Sequence, residues 1–217
     1  MTDGLRFGLI GYPIGHSKSP EIFAKAYSSR FPYDLIETPS FEEAWEKFIT
    51  GPYKAVNVTA PFKMLAAGRA DVRGLEVEST GAANILIKKG DGLVEARNSD
   101  YLGVKSILEK TGARGIVVIG GGGAGKAALQ AALDLGLDAR LLHHDEIGSG
   151  VSAEMIIYTL PKAAPGFDRL NCRILLEANY RDPVLTGHEG YIPGTVWHRA
   201  QAVTGYALMT GIEPDAL

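Results

Sequence analysis

Ile116-Val117-Val118-Ile119-Gly120-Gly121-Gly122-Gly123-Ala124-Gly125 is the stretch that decides how this chain folds. Four β-branched residues read as a buried strand, and the Ala-rich run that follows reads as a helix reaching residue 135. Glycines 120, 122 and 125 stand in the G-x-G-x-x-G spacing. That spacing turns a chain sharply from strand to helix and lets a pyrophosphate approach the free N–H groups of the helix start. Strand, turn and helix together predict a parallel β-α-β unit that takes a dinucleotide at Gly120, Gly122, Gly123, Ala124 and Gly125.

Working outward, residues 139–142, 155–159 and 173–177 read as further strands of the same unit. Only about a dozen residues join the first two of these, the lower limit for a parallel crossover, and Gly148 and Gly150 discourage a helix between them. The expectation is a small, truncated Rossmann-like nucleotide domain in which a loop replaces a helix. Upstream, strands at 5–10, 33–36 and 55–58 alternate with helices at 20–28 and 41–48, which favours a parallel sheet. Residues 80–88 and 93–96 flank Gly90-Asp91-Gly92, a turn signal that predicts an antiparallel pair interrupting the parallel pattern. A helix at 101–110 carries the chain across a domain boundary, and 196–209 is apolar at helical spacing and returns to the first unit. The fold class is therefore α/β in two domains. Residues 1–102 plus 188–217 form an N-terminal, parallel-type substrate-binding domain, and 103–187 form the nucleotide-binding domain.

Composition narrows the function. With 22 Lys and Arg against 25 Asp and Glu, and no basic block, the chain lacks the electrostatic footprint of a nucleic-acid binder. No run approaches the ~18 apolar residues of a membrane helix, and the first residues lack a basic leader with an apolar core, so a cytoplasmic protein is expected. The single cysteine, Cys172, forms no internal disulfide and reads as a small core hydrophobe. No metal site is predicted. A small-molecule partner is expected, with the chain a monomer or a homodimer.

Two residues carry candidate chemistry on their own account. Lys63 follows Pro61 where a strand gives way to a helix, and Asp100 opens the helix at 101–110. A lysine and a carboxylate at such switches can move a proton or fix charge at a reacting hydroxyl. Taken singly, each also fits a solvated charge or a helix cap.

Their neighbours add a resemblance. Gly11-Tyr12-Pro13-Ile14-Gly15-His16-Ser17-Lys18-Ser19-Pro20, Asn57-Val58-Thr59-Ala60-Pro61-Phe62-Lys63, Gly81-Ala82-Ala83-Asn84, Asn98-Ser99-Asp100 and Arg199-Ala200-Gln201-Ala202 follow one another in the order of the motifs of the shikimate dehydrogenase family, which this chain resembles over nearly its whole length. The resemblance implies that Ser17 and Ser19 hold a substrate carboxylate, and that Thr59, Asn84 and Gln201 bond ring hydroxyls with Tyr180 as a further contact. It also implies that Lys63 and Asp100 flank the hydroxyl that is oxidised. The implied cofactor is NADP, with NAD the alternative. The implied reaction is reversible reduction of 3-dehydroshikimate. The alternatives are a quinate/shikimate dehydrogenase using NAD and a catalytically weak shikimate-binding homologue.

The sequence departs from the family around the cofactor. Where the family carries Asn-Arg-Thr after the second nucleotide strand, this chain has His143-His144-Asp145, so His143 and His144 become the candidate phosphate contacts. Phe23-Ala24 stands for a His-Asn pair, Tyr158-Thr159-Leu160-Pro161 for Asn-Ala-Thr-Pro, and Ser99 for threonine. A guanidinium is the strongest common grip on a 2′-phosphate, and its replacement by His144 beside Asp145 predicts weak discrimination between NADP and NAD.

Overall fold

The structure, a computed structural model, describes residues 4–215. It divides into two compact units: one holds the chain through Ser99 and again from Ala202, the other Asp100–Gln201. The segment 188–201, expected in the substrate domain, lies in the second unit.

The first unit is built on six strands, β1 (Arg6–Gly11), β2 (Tyr33–Glu37), β3 (Tyr53–Val58), β4 (Val72–Arg73), β5 (Ile85–Lys88) and β6 (Val94–Arg97), in the order β2-β1-β3-β5-β6-β4. β1 runs parallel to β2 and β3, whereas β5 is antiparallel to both of its neighbours, the interruption that the Gly90-Asp91-Gly92 turn predicts. Alternation along the strands feeds two cores. Val56 and Leu86 face one with α2 (Phe41–Thr50) and α3 (Lys63–Arg69). Ala55, Ile85 and Ile87 face the other with α1 (Ser19–Ala26) and the end of the last helix. Residues 80–84 are not strand: α4 (Leu75–Thr80) occupies the approach and ends on Gly81, whose φ of 66° suits glycine.

The second unit has the sheet order β11-β10-β9-β7-β8, all parallel, from β7 (Gly115–Ile119), β8 (Asp138–Leu142), β9 (Val151–Tyr158), β10 (Leu170–Glu177) and β11 (Tyr191–Ile192). Val118, Met155, Ile157 and Leu176 point to a face covered by α5 (Ser99–Thr111), α6 (Gly123–Asp134) and the start of α7 (Gly194–Thr210). Val117, Ile119, Ile156, Tyr158 and Leu175 point to a face covered by loops. α7 contributes Trp197 to this unit's core and Tyr206 and Met209 to the first unit's. Cys172 lies within β10, half-buried, its sulfur 3.5 Å from His188 Nε2.

The helix missing between β8 and β9 has a geometric cause. Register puts Leu142, Ile119 and Tyr158 level across three strands, while β9 begins at Val151 near the other end of the sheet. The chain must descend about 23 Å at roughly 3.3 Å per residue, yet a helix made of residues 143–150 would rise only about 12 Å. Two turns span the gap instead, closed by Glu146 N–H to His143 O at 3.1 Å and Gly150 N–H to Ile147 O at 2.9 Å. Between them Ile147 is fully buried among Val117, Ile119, Ile156 and Tyr158, where the helix would have packed. Two polar anchors help the neighbouring loops. The Tyr158 hydroxyl donates to Lys162 O at 2.8 Å and accepts from Ala164 N–H at 3.0 Å. The fully buried Glu177 carboxylate accepts from Val184 N–H, Leu185 N–H and the Tyr191 hydroxyl, and burial together with that carboxylate pushes the Tyr191 phenol up to about 12.

Ile147→Ala should therefore cost about 2 to 5 kcal/mol of the second unit's stability. Urea unfolding followed by the fluorescence of Trp197 checks it; a loss under about 1 kcal/mol would mean that the loop does not carry the face it covers.

Candidate functional site

In the first unit the strand ends bring the predicted substrate motifs together. β1 and β3 are adjacent and parallel, with Ile10 opposite Val58. The loops that leave them begin side by side: Tyr12 N–H donates to Ala60 O at 3.2 Å and Thr59 N–H to Ile10 O at 2.9 Å. Gly11 is required at the contact, since a Cβ there would stand 2.4 Å from Thr59 Cγ2. Both loops contain a cis proline, Pro13 and Pro61. Ser17 and Ser19 lie at the end of the first loop, half-buried, with hydroxyl oxygens 3.0 Å apart. Lys63 is the first residue of α3, placed there because the Phe62 ring is buried against Phe41 and the Phe62 N–H donates to Thr59 O at 3.0 Å.

A hydrogen-bond chain joins these motifs to the third and fourth. Tyr33 donates to Asn57 Oδ1 at 2.8 Å, and Asn57 Nδ2 reaches Asn84 O at 3.4 Å. Burial pushes the Tyr33 phenol well above its ordinary value, so it stays a neutral donor. Asn84 Oδ1 accepts the Ser99 N–H at 2.8 Å and its Nδ2 donates to Ser99 Oγ at 3.1 Å, which leaves one amide hydrogen for a ligand. Asn98 Nδ2 donates to Ala82 O at 2.9 Å, and the Lys63 carbonyl accepts the Ala83 N–H at 2.9 Å. Tyr33 belongs to none of the sequence motifs, and Asn57 only opens one.

In the second unit the glycine turn has the shape its spacing predicts. Gly120 has a φ of 109°, and a Cβ on Gly125 would lie 1.8 Å from Gly120 O, so only glycine lets α6 close on the end of β7. At Gly122 and Gly123 a Cβ would meet nothing within 4 Å, so the exposed edge of the turn is open. Lys126 N–H is already bonded to Gly122 O, and the N–H groups before it lie in the first turn of α6. A dinucleotide's pyrophosphate fits such a turn. Thr159, which sequence reasoning left unassigned, donates to Ile119 O at 2.9 Å and holds the turn to the end of β9. His143 and His144 are exposed on the loop after β8, and the His143 ring lies against Gly121, 2.8 Å from where a Cβ would be.

Asp100 opens α5 in the second unit and is half-buried; its carbonyl accepts the Trp197 indole N–H at 2.9 Å. Gln201 lies on α7 where that helix presses on α5 at Gly103, a Cβ at Gly103 being only 2.8 Å from Gln201 N. Tyr180 is exposed and stacks on His198, ring centroids 4.6 Å apart.

Comparison with known proteins places the chain in a family. Residues 9–86 match the family described as Shikimate dehydrogenase substrate binding domain. A shikimate dehydrogenase (NADP(+)) of Chromohalobacter salexigens is 36% identical over 59% of this chain, the match spanning only 51% of that relative, about half its length. One from Alkalilimnicola ehrlichii is 31% identical over 99% of this chain and 82% of the relative. The crystal structure of shikimate 5-dehydrogenase from Thermus thermophilus in complex with NADP(H) and shikimate superposes with a TM-score of 0.81 at 22% identity, over 97% of this chain and 95% of that one, and so shares the fold. Among the described residues no helix is long and apolar enough to cross a membrane. With four-fifths of a relative matched at that identity, and with the substrate-binding family covering the strands that carry Ser17 to Asn84, the chain belongs to the shikimate dehydrogenase family.

Proposed function

We propose that this chain is a shikimate dehydrogenase of the cytoplasm, acting as a monomer or homodimer, that reversibly reduces 3-dehydroshikimate to shikimate with NADP. The observation that carries the reading is the hydrogen-bond chain running from Tyr33 through Asn57 and Asn84 to Ser99, with the start of α3 at Lys63 tied to Ala83. It links motifs whose side chains suit a carboxylate and ring hydroxyls.

Each residue has a task in that reading. The Ser17 hydroxyl donates to Ser19 Oγ at 3.0 Å, and the two hydroxyls would turn together to hold one carboxylate as donors. Thr59, Asn84, Gln201 and Tyr180 would bond ring hydroxyls. In the oxidising direction the Lys63 amine takes up the hydroxyl proton, and the ammonium so formed stabilises the charge on that oxygen, while the Asp100 carboxylate accepts a hydrogen bond at the same group. NADP bound at the glycine turn would supply the acceptor for the hydride. Gly120 to Gly125 would cradle its pyrophosphate, and His143 and His144 would border the ribose that carries the 2′-phosphate.

Steady-state assays with shikimate and with quinate, each with NADP and with NAD, test this reading. Turnover of shikimate with NADP is expected. Activity on quinate with NAD would favour the neighbouring specificity, and no turnover of either alcohol would make the chain a binding homologue. Lys63→Ala should lower kcat by about 10² to 10⁴ while the protein stays folded by circular dichroism; near wild-type turnover would remove Lys63 from the chemistry.

The cofactor preference should be shallow. Loss of one charge-assisted contact, about 1.5 to 3 kcal/mol, reduces discrimination by roughly 10- to 150-fold. Replacing His144 by arginine should raise kcat/KM with NADP and leave kcat/KM with NAD little changed. A wild-type enzyme already strongly selective for NADP, and unmoved by that change, would place the grip on another cation such as Arg140.

A further inference from the structure

Among the described residues β8 pairs only with β7 and ends the sheet of the second unit. Asp138 N–H donates to Arg114 O at 2.9 Å and Gly120 N–H to Leu142 O at 2.9 Å, so the even-numbered residues of β8 turn their backbone groups toward β7. Alternation turns those of Ala139 and Leu141 outward, to the open edge. The side chains alternate too. Leu137 and Ala139 pack on the face that α6 covers, whereas Asp138 and Arg140 are exposed on the other. Among the described residues neither Asp138 nor Arg140 forms an ion pair within the chain. An edge of this kind is a template for another strand.

We propose that β8 pairs antiparallel with β8 of a second copy of this chain, about a two-fold axis at Ala139, joining the two sheets into one. In that register each Ala139 N–H donates to the carbonyl of the partner's Ala139, and each Leu141 N–H to the carbonyl of the partner's Leu137. The Leu137 N–H already bonds Ala132 O at 3.0 Å and takes no part. Asp138 then stands opposite the partner's Arg140, and Arg140 opposite the partner's Asp138. Both pairs fall at non-hydrogen-bonded positions, where facing Cα atoms come closest, at about 4.5 Å. On the other face Leu137 meets the partner's Leu141. Moving the axis to Asp138 or Arg140 would set like charges face to face, so charge selects this register. The other edges lack that self-complementarity. β4 and β11 are two residues long, and the charged residues of β2, Asp34 and Glu37, are both acidic and already hold Arg6 and the Ile14 N–H. The interface would build the homodimer named above and does not depend on the activity.

Sedimentation velocity between about 1 and 100 μM, a range suited to a small interface, tests the pairing. The wild-type chain should pass from monomer toward dimer as concentration rises. Ala139→Pro removes the central donor at a position where the N–H faces away from β7, so the chain should stay folded by circular dichroism while dimerisation weakens about tenfold or more. Asp138→Arg and Arg140→Asp each set like charges across the axis, and each should weaken self-association by about tenfold. Mixed in equal amounts, these two variants should form a heterodimer about as tight as the wild-type dimer, because every arginine then faces an aspartate. That rescue separates repulsion from misfolding, and if a charge variant does not fold, Ala139→Pro still decides. A wild-type chain that stays monomeric throughout, folded variants that associate as the wild type does, or a mixture no tighter than its components would each overturn the proposal.

Discussion

The Asn84 side chain, holding both the N–H and the hydroxyl of Ser99, is the contact on which the site depends. It settles where α5 begins, and so where Asp100 stands along the chain. Asn98 supports it from the preceding position by binding Ala82 O and Thr80 Oγ1, and Glu76 takes the Asn98 N–H and the Arg97 guanidinium together. Glu76, Asn84, Asn98 and Ser99 are buried, where an unmet hydrogen bond costs about 1 to 3 kcal/mol. The third and fourth motifs are therefore two halves of one joint. Gly205 adds a packing reason, since a Cβ there would lie 2.9 Å from Ser99 Oγ, leaving little room at that point of α7.

The second unit follows a different logic. Its sheet buries apolar side chains on both faces, but helices cover only one of them. Loops cannot supply a continuous apolar stripe, so the covering is done by isolated anchors: Ile147 as a hydrophobic plug, and Tyr158 and Glu177 as buried polar hubs for the backbone groups that loops leave unpaired. Backbone polar groups under cover must find partners, and in a helix they find each other. Where the helix is absent, side chains from the strand ends take over that duty. The wide hydrogen-bonding of Glu177 is the consequence of a short chain, and it holds the loop that carries Tyr180 and Arg181.

How much of this was legible in the sequence depended on the range of the forces involved. The glycine turn was readable because its requirement is local: Gly125 must clear an oxygen five residues away in the chain. The antiparallel β5–β6 pair was readable from its turn, and the missing crossover from its length. Short helices were less so: α3 was readable only at its start, from Pro61, and α4 not at all, because both are held by Phe62, Ala66 and Val77 in a core formed from distant strands and are too brief to show a period. The starts of β9 and β10 were set late because exposed Ser152, Asn171 and Arg173 interrupt the apolar run there. The second boundary is expected at 187/188, ahead of α7, but the division falls after Gln201 within that helix, since the helix serves two cores in turn.

The site divides along the same line. Ser17, Ser19, Lys63 and Asn84 were named because each sits in a compact motif, and the fold brings their loops together through adjacent strand ends. Tyr33 sits in no motif. It acquires its place only when β2 lies beside β1 and its hydroxyl meets Asn57 from β3. Residues that touch substrate tend to be written in short local patterns, because the loop that presents them must also be built locally. Those that hold such residues in place are recruited from wherever the fold happens to bring a side chain, so they have to be found by geometry.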